Sequence, residues 1–189
     1  ADTFELTNRD TGANIDGSAY TAYISGGIAR LLSTSVTGLT HLVGQSVRVN
    51  ADGADHPAQT VTAAGAITLD YAAAVVQVGL AYTSTYKSLR LSAQTPFGSG
   101  VGKTKRLGPL TLVFLDAVAP QIGPDVDTLK QANFRDSADL MNMPTPVFTG
   151  DYRYDFDGDW GSDPRVVVRS SAPLPMTLLG LQTDVKLTP

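Results

Sequence analysis

The chain has 189 residues, enough for one large domain or two small ones, with 42% hydrophobic and 17% charged residues and a formal net charge of −4. This balance excludes a chain disordered by composition, and its densest basic run, Lys103, Lys105 and Arg106, is too short to track a phosphate backbone. With no cysteine and only His41 and His56, disulfides, thiolate chemistry and zinc–sulfur sites are excluded outright, and a multi-histidine metal centre nearly so.

Taken in chain order, the sequence is dominated by strand signals, meaning β-branched or alternating runs between turn residues. Such runs occupy residues 3–7, 20–25, 28–36, 46–50, 66–70, 75–80 and 88–92. They continue at 110–115, 152–156, 165–170 and 176–182. Turn pairs separate them: Asp16-Gly17, Gly26-Gly27, Asp52-Gly53, Gly108-Pro109, Asp157-Gly158 and Asp163-Pro164. Short strands punctuated about every ten residues predict an all-β fold. The expected form is a small N-terminal β-module over residues 1–36, then a β-sandwich or barrel-like domain over 37–189. The main domain carries one long irregular excursion at about 120–146, where Pro120, Pro124, Pro144 and Pro146 break regular pairing. Residues 136–141 are the best place for a short helical turn, capped by Asp136 or Ser137. No run approaches the roughly 18 apolar residues of a membrane-spanning helix. The first residues, Ala1-Asp2-Thr3-Phe4, have neither the basic nor the apolar region of a signal peptide.

Four patterns invite a chemical reading. The first is Gly98-Ser99-Gly100-Val101-Gly102-Lys103-Thr104, which is close to a phosphate-binding loop. That loop needs glycine five residues before the Gly-Lys pair, where Phe97 stands, and must open a helix, whereas residues 110–115 read as a strand. A hairpin loop is the expected alternative. The second is Asp155-Phe156-Asp157-Gly158-Asp159-Trp160. An EF-hand beginning at Asp155 would need glycine where Trp160 stands and glutamate where Val166 stands. A different cation site from Asp157, Asp159 and Asp163 stays open beside a solvated acidic turn between strands.

The third pattern is a serine or threonine nucleophile, which needs a positioned base, and only His41 and His56 offer one. No Gly-x-Ser-x-Gly elbow is present. His41 reads as a half-buried packing residue and His56 as a surface turn residue. The fourth is a carboxylate pair for glycoside hydrolysis, but Glu5 is the sole glutamate and the aspartates sit mostly in turns. Trp160 and the tyrosines could form a sugar-stacking surface, though they are dispersed. The expectation is therefore a chain with no catalytic residues, no cofactor and no metal site.

An ordered series of segments carries a resemblance. It comprises Gly38–Val49, Ala51–Pro57, Ala66–Asp70, Val76–Ser84, Gly102–Arg106, Pro146–Asp151 and Pro173–Leu181. The series resembles the C-terminal part of tail nozzle, or tail tubular, proteins of short-tailed bacteriophages. Residues 3–6 and 19–30 are similar to a small β-module often inserted in such phage proteins. The resemblance implies a structural virion protein in the phage tail, in a homo-oligomeric ring, commonly a hexamer. Its partners would be other tail proteins, with DNA passing through the lumen without sequence-specific binding. Members of that family are much longer, so the resemblance also implies a fragment, a processed form or a separate subunit. The alternative expectation is a carbohydrate-binding or adhesin domain of a phage tail or cell-surface protein.

Overall fold

The computed structural model describes residues 2–7, 14–25, 28–90, 94–95, 98–100, 102–141, 143–156 and 158–187, with side chains described for 32–90 and from residue 100 onward. The fold is all-β: 51% of the chain is strand, in several antiparallel sheets, and none closes into a barrel. No α-helix occurs among the described residues, and one 3-10 turn spans Thr40–Leu42. The chain divides into two compact units, Ala1–Ala81 and Tyr82–Pro189.

The first unit holds β1 (Asp2–Thr7), β2 (Asn14–Ser25), β3 (Ile28–Leu31) and β4 (Ser33–Val36). It continues with β5 (Ser46–Ala51), β6 (Ala54–Thr60), β7 (Ile67–Ala73) and β8 (Val76–Leu80). Three sheets result, in the orders β1-β2-β3, β4-β7 and β6-β5-β8. β5 alternates buried Val47, Val49 and Ala51 with more accessible neighbours, the period-two signature of a half-buried strand. Those side chains meet Ile67, Leu69 and Ala73 of β7 and Val61 in one core, so two small sheets share it.

The β5–β6 hairpin turns on Asp52 and Gly53, whose φ angles of 50° and 85° are both positive, as a two-residue type I′ turn requires. The Asp52 carboxylate then accepts the Val75 N–H at 2.7 Å, tying the turn to the start of β8. Sequence reading placed a division at 36/37, whereas the compact units divide between Ala81 and Tyr82. The reason is pairing: Ser33 and Val36 of β4 register with Ala73 and Ile67 of β7. The expected Gly26-Gly27 turn lies outside the described residues.

The second unit holds β9 (Ser84–Lys87), β10 (Gln94–Thr95), β11 (Gly98–Ser99) and β12 (Lys105–Ala117). β13 (Gln121–Gly123), β14 (Lys130–Gln131), β15 (Phe148–Tyr154), β16 (Val167–Ser170) and β17 (Thr177–Leu187) follow. Its two principal sheets run β15-β12-β17 and β14-β13-β16-β9, and β10 pairs with β11 as a ribbon. Leu107, Leu110, Leu112, Phe114 and Ala117 of β12 share a core with Ile122 of β13 and Val168 of β16. Side chains of both sheets thus fill one interior, the arrangement of a small sandwich. Each fully buried leucine, valine or phenylalanine contributes about 1.5–3 kcal/mol from apolar burial.

Several elements differ from the sequence reading. Gly108-Pro109, read as a turn, lies inside β12, where the register with β17 shifts between Leu107 and Leu110. A bulge is where a central strand tolerates a residue without an N–H. The run at 88–92 is replaced by β9 at Ser84–Lys87, and Leu91-Ser92 lie outside the described residues. Residues 136–141 form no α-helix; the Asp139 N–H donates to the Asp136 carbonyl in a single turn.

The excursion at 120–146 is more ordered than its prolines imply. It contributes the β13–β14 hairpin and buried Ala132. Phe134 stacks on Phe148 with ring centroids 4.6 Å apart and meets Tyr152 edge-on at 5.1 Å. Arg135 donates to the carbonyls of Leu140 (3.1 Å) and Met143 (2.6 Å), gathering the rest of the loop.

Candidate assembly surface

The four chemical patterns separate in space. After the phosphate-loop-like segment the chain continues as β12, which begins at Lys105, two residues past the motif's Lys103, where the motif needs a helix. Within that segment the Lys103 N–H donates to the Gly100 carbonyl at 3.3 Å, while Phe97 and Val101 lie outside the described residues.

The histidines exchange the roles expected of them. His41 is exposed on the 3-10 turn. His56 is buried (1% exposed), because Ala54–Thr60 is a strand and no turn. Pro57 masked that strand in the sequence; β6 is the edge of its sheet, where proline is tolerated. His56 Nε2 accepts the Asp70 N–H at 2.9 Å, and Nδ1 lies 2.9 Å from the Pro57 carbonyl, which it meets as a donor. Both ring nitrogens are thus committed to backbone partners in a neutral tautomer, and the imidazole ties β6 to β7. Tyr71 lies beside it with ring centroids 5.4 Å apart. Burial, with the charges of Asp52, Asp55 and Asp70, raises the Tyr71 hydroxyl above its ordinary value.

In the acidic loop, Asp155 and Asp159 are exposed and Asp157 lies outside the described residues. Among the described residues no group of three or more His, Asp or Glu side chains is placed to hold a metal ion. Asp163 is engaged elsewhere. Arg165 donates from Nε (3.0 Å) and Nη2 (2.7 Å) to Oδ2, and Arg90 Nε stands 3.3 Å from Oδ1. Oδ1 has no aligned hydrogen bond, so Arg90 acts through its charge. Hydrogen bonding by Arg165, then the two guanidinium charges, hold the Asp163 carboxyl below the ordinary aspartate value.

A pH dependence follows from that direction. The folded state binds the Asp163 proton less tightly than the unfolded chain, so this contribution is complete above the ordinary value of 3.8. It is lost as pH falls through the lower folded value. In urea titrations, Asp163→Asn is expected to lower the midpoint at pH 6 and to narrow the difference between pH 6 and pH 3. An unchanged pH 6 midpoint, with the same fall on acidification as the wild type, would contradict the clamp.

The most distinctive surface is a sheet edge. β17 is 11 residues long and, among the described residues, pairs on one side only, with β12. It contains no proline, residues 177–183 carry no charge, and no β17 residue is fully buried. Leu179 is 62% exposed. The opposite edge of the same sheet, β15, has Gly150 at φ 140° and carries Asp151 and Arg153, whereas the charges of β17, Asp184 and Lys186, lie at its C-terminal end; the register with β12 shifts once for β15 and twice for β17. Long, flat, uncharged edges are templates for another strand, and proteins protect those they leave in solvent. β9, at an edge of the second sheet, is exposed throughout and flanked by exposed Tyr82 and Leu89. The sequence pattern gives a strand at 176–182 but not its place at an edge, since strand order is set by long-range pairing that a local pattern does not carry. The missed signal was the absence of charge and proline over residues 177–183 in a strand expected at 176–182.

The fold is that of an all-β chain in which, among the described residues, β17 pairs on one side only. No protein-family model matches the chain, and no curated protein matches it.

Proposed function

We propose that this chain is a structural subunit without catalytic function, a component of a bacteriophage tail nozzle or tube. Copies would form a closed ring, a hexamer by resemblance, around a conduit for DNA within the virion tail, in contact with other tail proteins. The observation that carries the reading is the edge of β17, which among the described residues pairs only with β12 and is uncharged over residues 177–183. A neighbouring copy that lays an extended segment along β17 satisfies the outward N–H and C=O groups and removes the hazard of runaway pairing. Head-to-tail contacts of this kind close into rings when the rotation between copies closes. The tail assignment itself rests on the ordered segments between Gly38 and Leu181.

Size-exclusion chromatography with light scattering tests the reading over a wide concentration range. The expected result is a discrete multiple of the 19.9 kDa chain mass, with Leu179→Lys shifted to monomer. A monomer at every concentration, alone and within the longest natural form of the protein, would overturn it. The second reading, a carbohydrate-binding or adhesin domain, is favoured by Trp160, which is 47% exposed. A glycan array discriminates: it is blank under the first reading and positive under the second, with Trp160→Ala abolishing the signal.

A further inference from the structure

The chain has three methionines, and they stand in different surroundings. Met176 is half-buried against the core of the second unit. Met143 is 51% exposed and Met141 85%, both in the excursion. Asn142, between them, lies outside the described residues. A thioether in solvent meets soluble oxidants that a packed one does not, so exposure ranks the three as Met141, Met143, Met176.

Met141 also has a cation beside its sulfur. Arg135 Nη1 lies 3.9 Å from Sδ while it donates to the Leu140 carbonyl, and Nη2 donates to the Met143 carbonyl. A thioether sulfur is a weak acceptor, so this contact contributes little as it stands. A sulfoxide differs, because it is polar and its added oxygen is a strong acceptor. Nη1 carries two N–H groups, and the Leu140 carbonyl uses one. The second meets the new oxygen without release of any bond that the guanidinium already makes, and the new bond is charge-assisted. The carboxylates nearest in sequence, Asp136 and Asp139, are engaged by the backbone N–H groups of Ser137 and Asp136.

We propose that Met141 is a modification site oxidised by a hydroperoxide, and that Arg135 captures the resulting sulfoxide and tightens residues 135–143. The sulfur attacks the distal peroxide oxygen; an S–O bond forms and the O–O bond breaks. The thioether loses two electrons and the peroxide gains them. The hydroxyl proton passes to the departing oxygen, which leaves as water or an alcohol. A sulfoxide ordinarily loosens the packing around it, so tightening is a distinctive sign. The site is independent of the assembly reading.

Hydrogen peroxide is applied to the full chain to one added oxygen, followed by peptide mass mapping and backbone amide exchange. Met141 is expected to be oxidised first, roughly tenfold faster than Met176. The Asp139 and Met143 amides donate to the Asp136 and Leu140 carbonyls within the loop. In the oxidised protein they are expected to exchange roughly tenfold more slowly, the effect of one hydrogen bond to a charged group. Methionine sulfoxide reductase is expected to reverse the slowing. Arg135→Gln is expected to oxidise at Met141 without slowing; it also removes the bonds to Leu140 and Met143, so the change on oxidation is compared within each protein. The Arg135 side-chain N–H resonance supplies a second readout, which shifts on oxidation of the wild type and stays in place in Met141→Leu treated alike. Earlier oxidation of Met143 or Met176 would overturn the site. Unchanged or faster exchange after oxidation of Met141, an unmoved Arg135 resonance, or equal slowing in Arg135→Gln would overturn the capture.

Discussion

Phe114→Ala is expected to lower the unfolding free energy of the second unit by about 3–5 kcal/mol, the cost of emptying a buried phenylalanine site. Phe114 is fully buried at the centre of β12, between Leu110 and Leu112 on one side and Ala117 on the other, and its ring meets Phe134 edge-on at 5.8 Å. The site has little capacity to collapse, because pairing on both sides fixes β12: Phe114 registers with Gly150 of β15 and Leu178 of β17. Trp160, the sole tryptophan, lies in this unit, so its fluorescence in urea reports on the right transition. Val147→Ala, at a position 55% exposed in the same unit and away from β17, is the matched control, expected to change stability by less than about 1 kcal/mol. Equal effects of the two substitutions would contradict the core assignment.

Gly65→Ala is expected to destabilise the first unit by about 2–5 kcal/mol, from two costs that add. Gly65 has φ +69°, and an L-residue there costs about 1–2 kcal/mol. A Cβ at this position would also stand 2.8 Å from Thr40 Cγ2 and 2.9 Å from the Thr40 backbone nitrogen. Overpacking against backbone costs a further 1–3 kcal/mol or so. The approach cannot relax, because the Leu39 N–H donates to the Gly65 carbonyl and the Gly65 N–H donates to Thr62. Gly44, at φ +78° with open space around it, separates the two costs. Gly44→Ala should show the conformational cost alone, about 1–2 kcal/mol. Thermal unfolding by circular dichroism measures both, and equal losses would show that the contact with Thr40 carries no weight.

The sequence made the fold class legible because the signals for it are local. Period-two alternation in Val47, Val49 and Ala51 and the positive-φ pair Asp52-Gly53 are each written within a few residues, and the structure follows them. Where a local signal met a tertiary context that overrode it, the reading failed. Pro57 and the neighbouring polar residues read as a turn, yet β6 forms because its sheet edge tolerates proline and His56 finds backbone partners in Pro57 and Asp70. Pro109 read as a break, yet a register shift absorbs it. Phe134 sat in a stretch read as irregular, and its place against Phe148 and Tyr152 depends on contacts that no sequence window contains. The candidate surface was hidden for the same reason. That residues 177–183 are uncharged is visible in the sequence, but that they lie at an edge depends on β12 taking the central place between β15 and β17.

Backbone hydrogen exchange at residues 177–183, measured at low and high protein concentration, tests the assembly account most directly. In β17 alternate amides face β12 and the outward set faces the open edge. If a neighbouring copy covers that edge, the outward amides exchange fast in dilute protein and become protected as concentration rises, while those paired with β12 are slow throughout. Fast exchange of the outward amides at every concentration would mean that the edge stays bare, and would contradict the account.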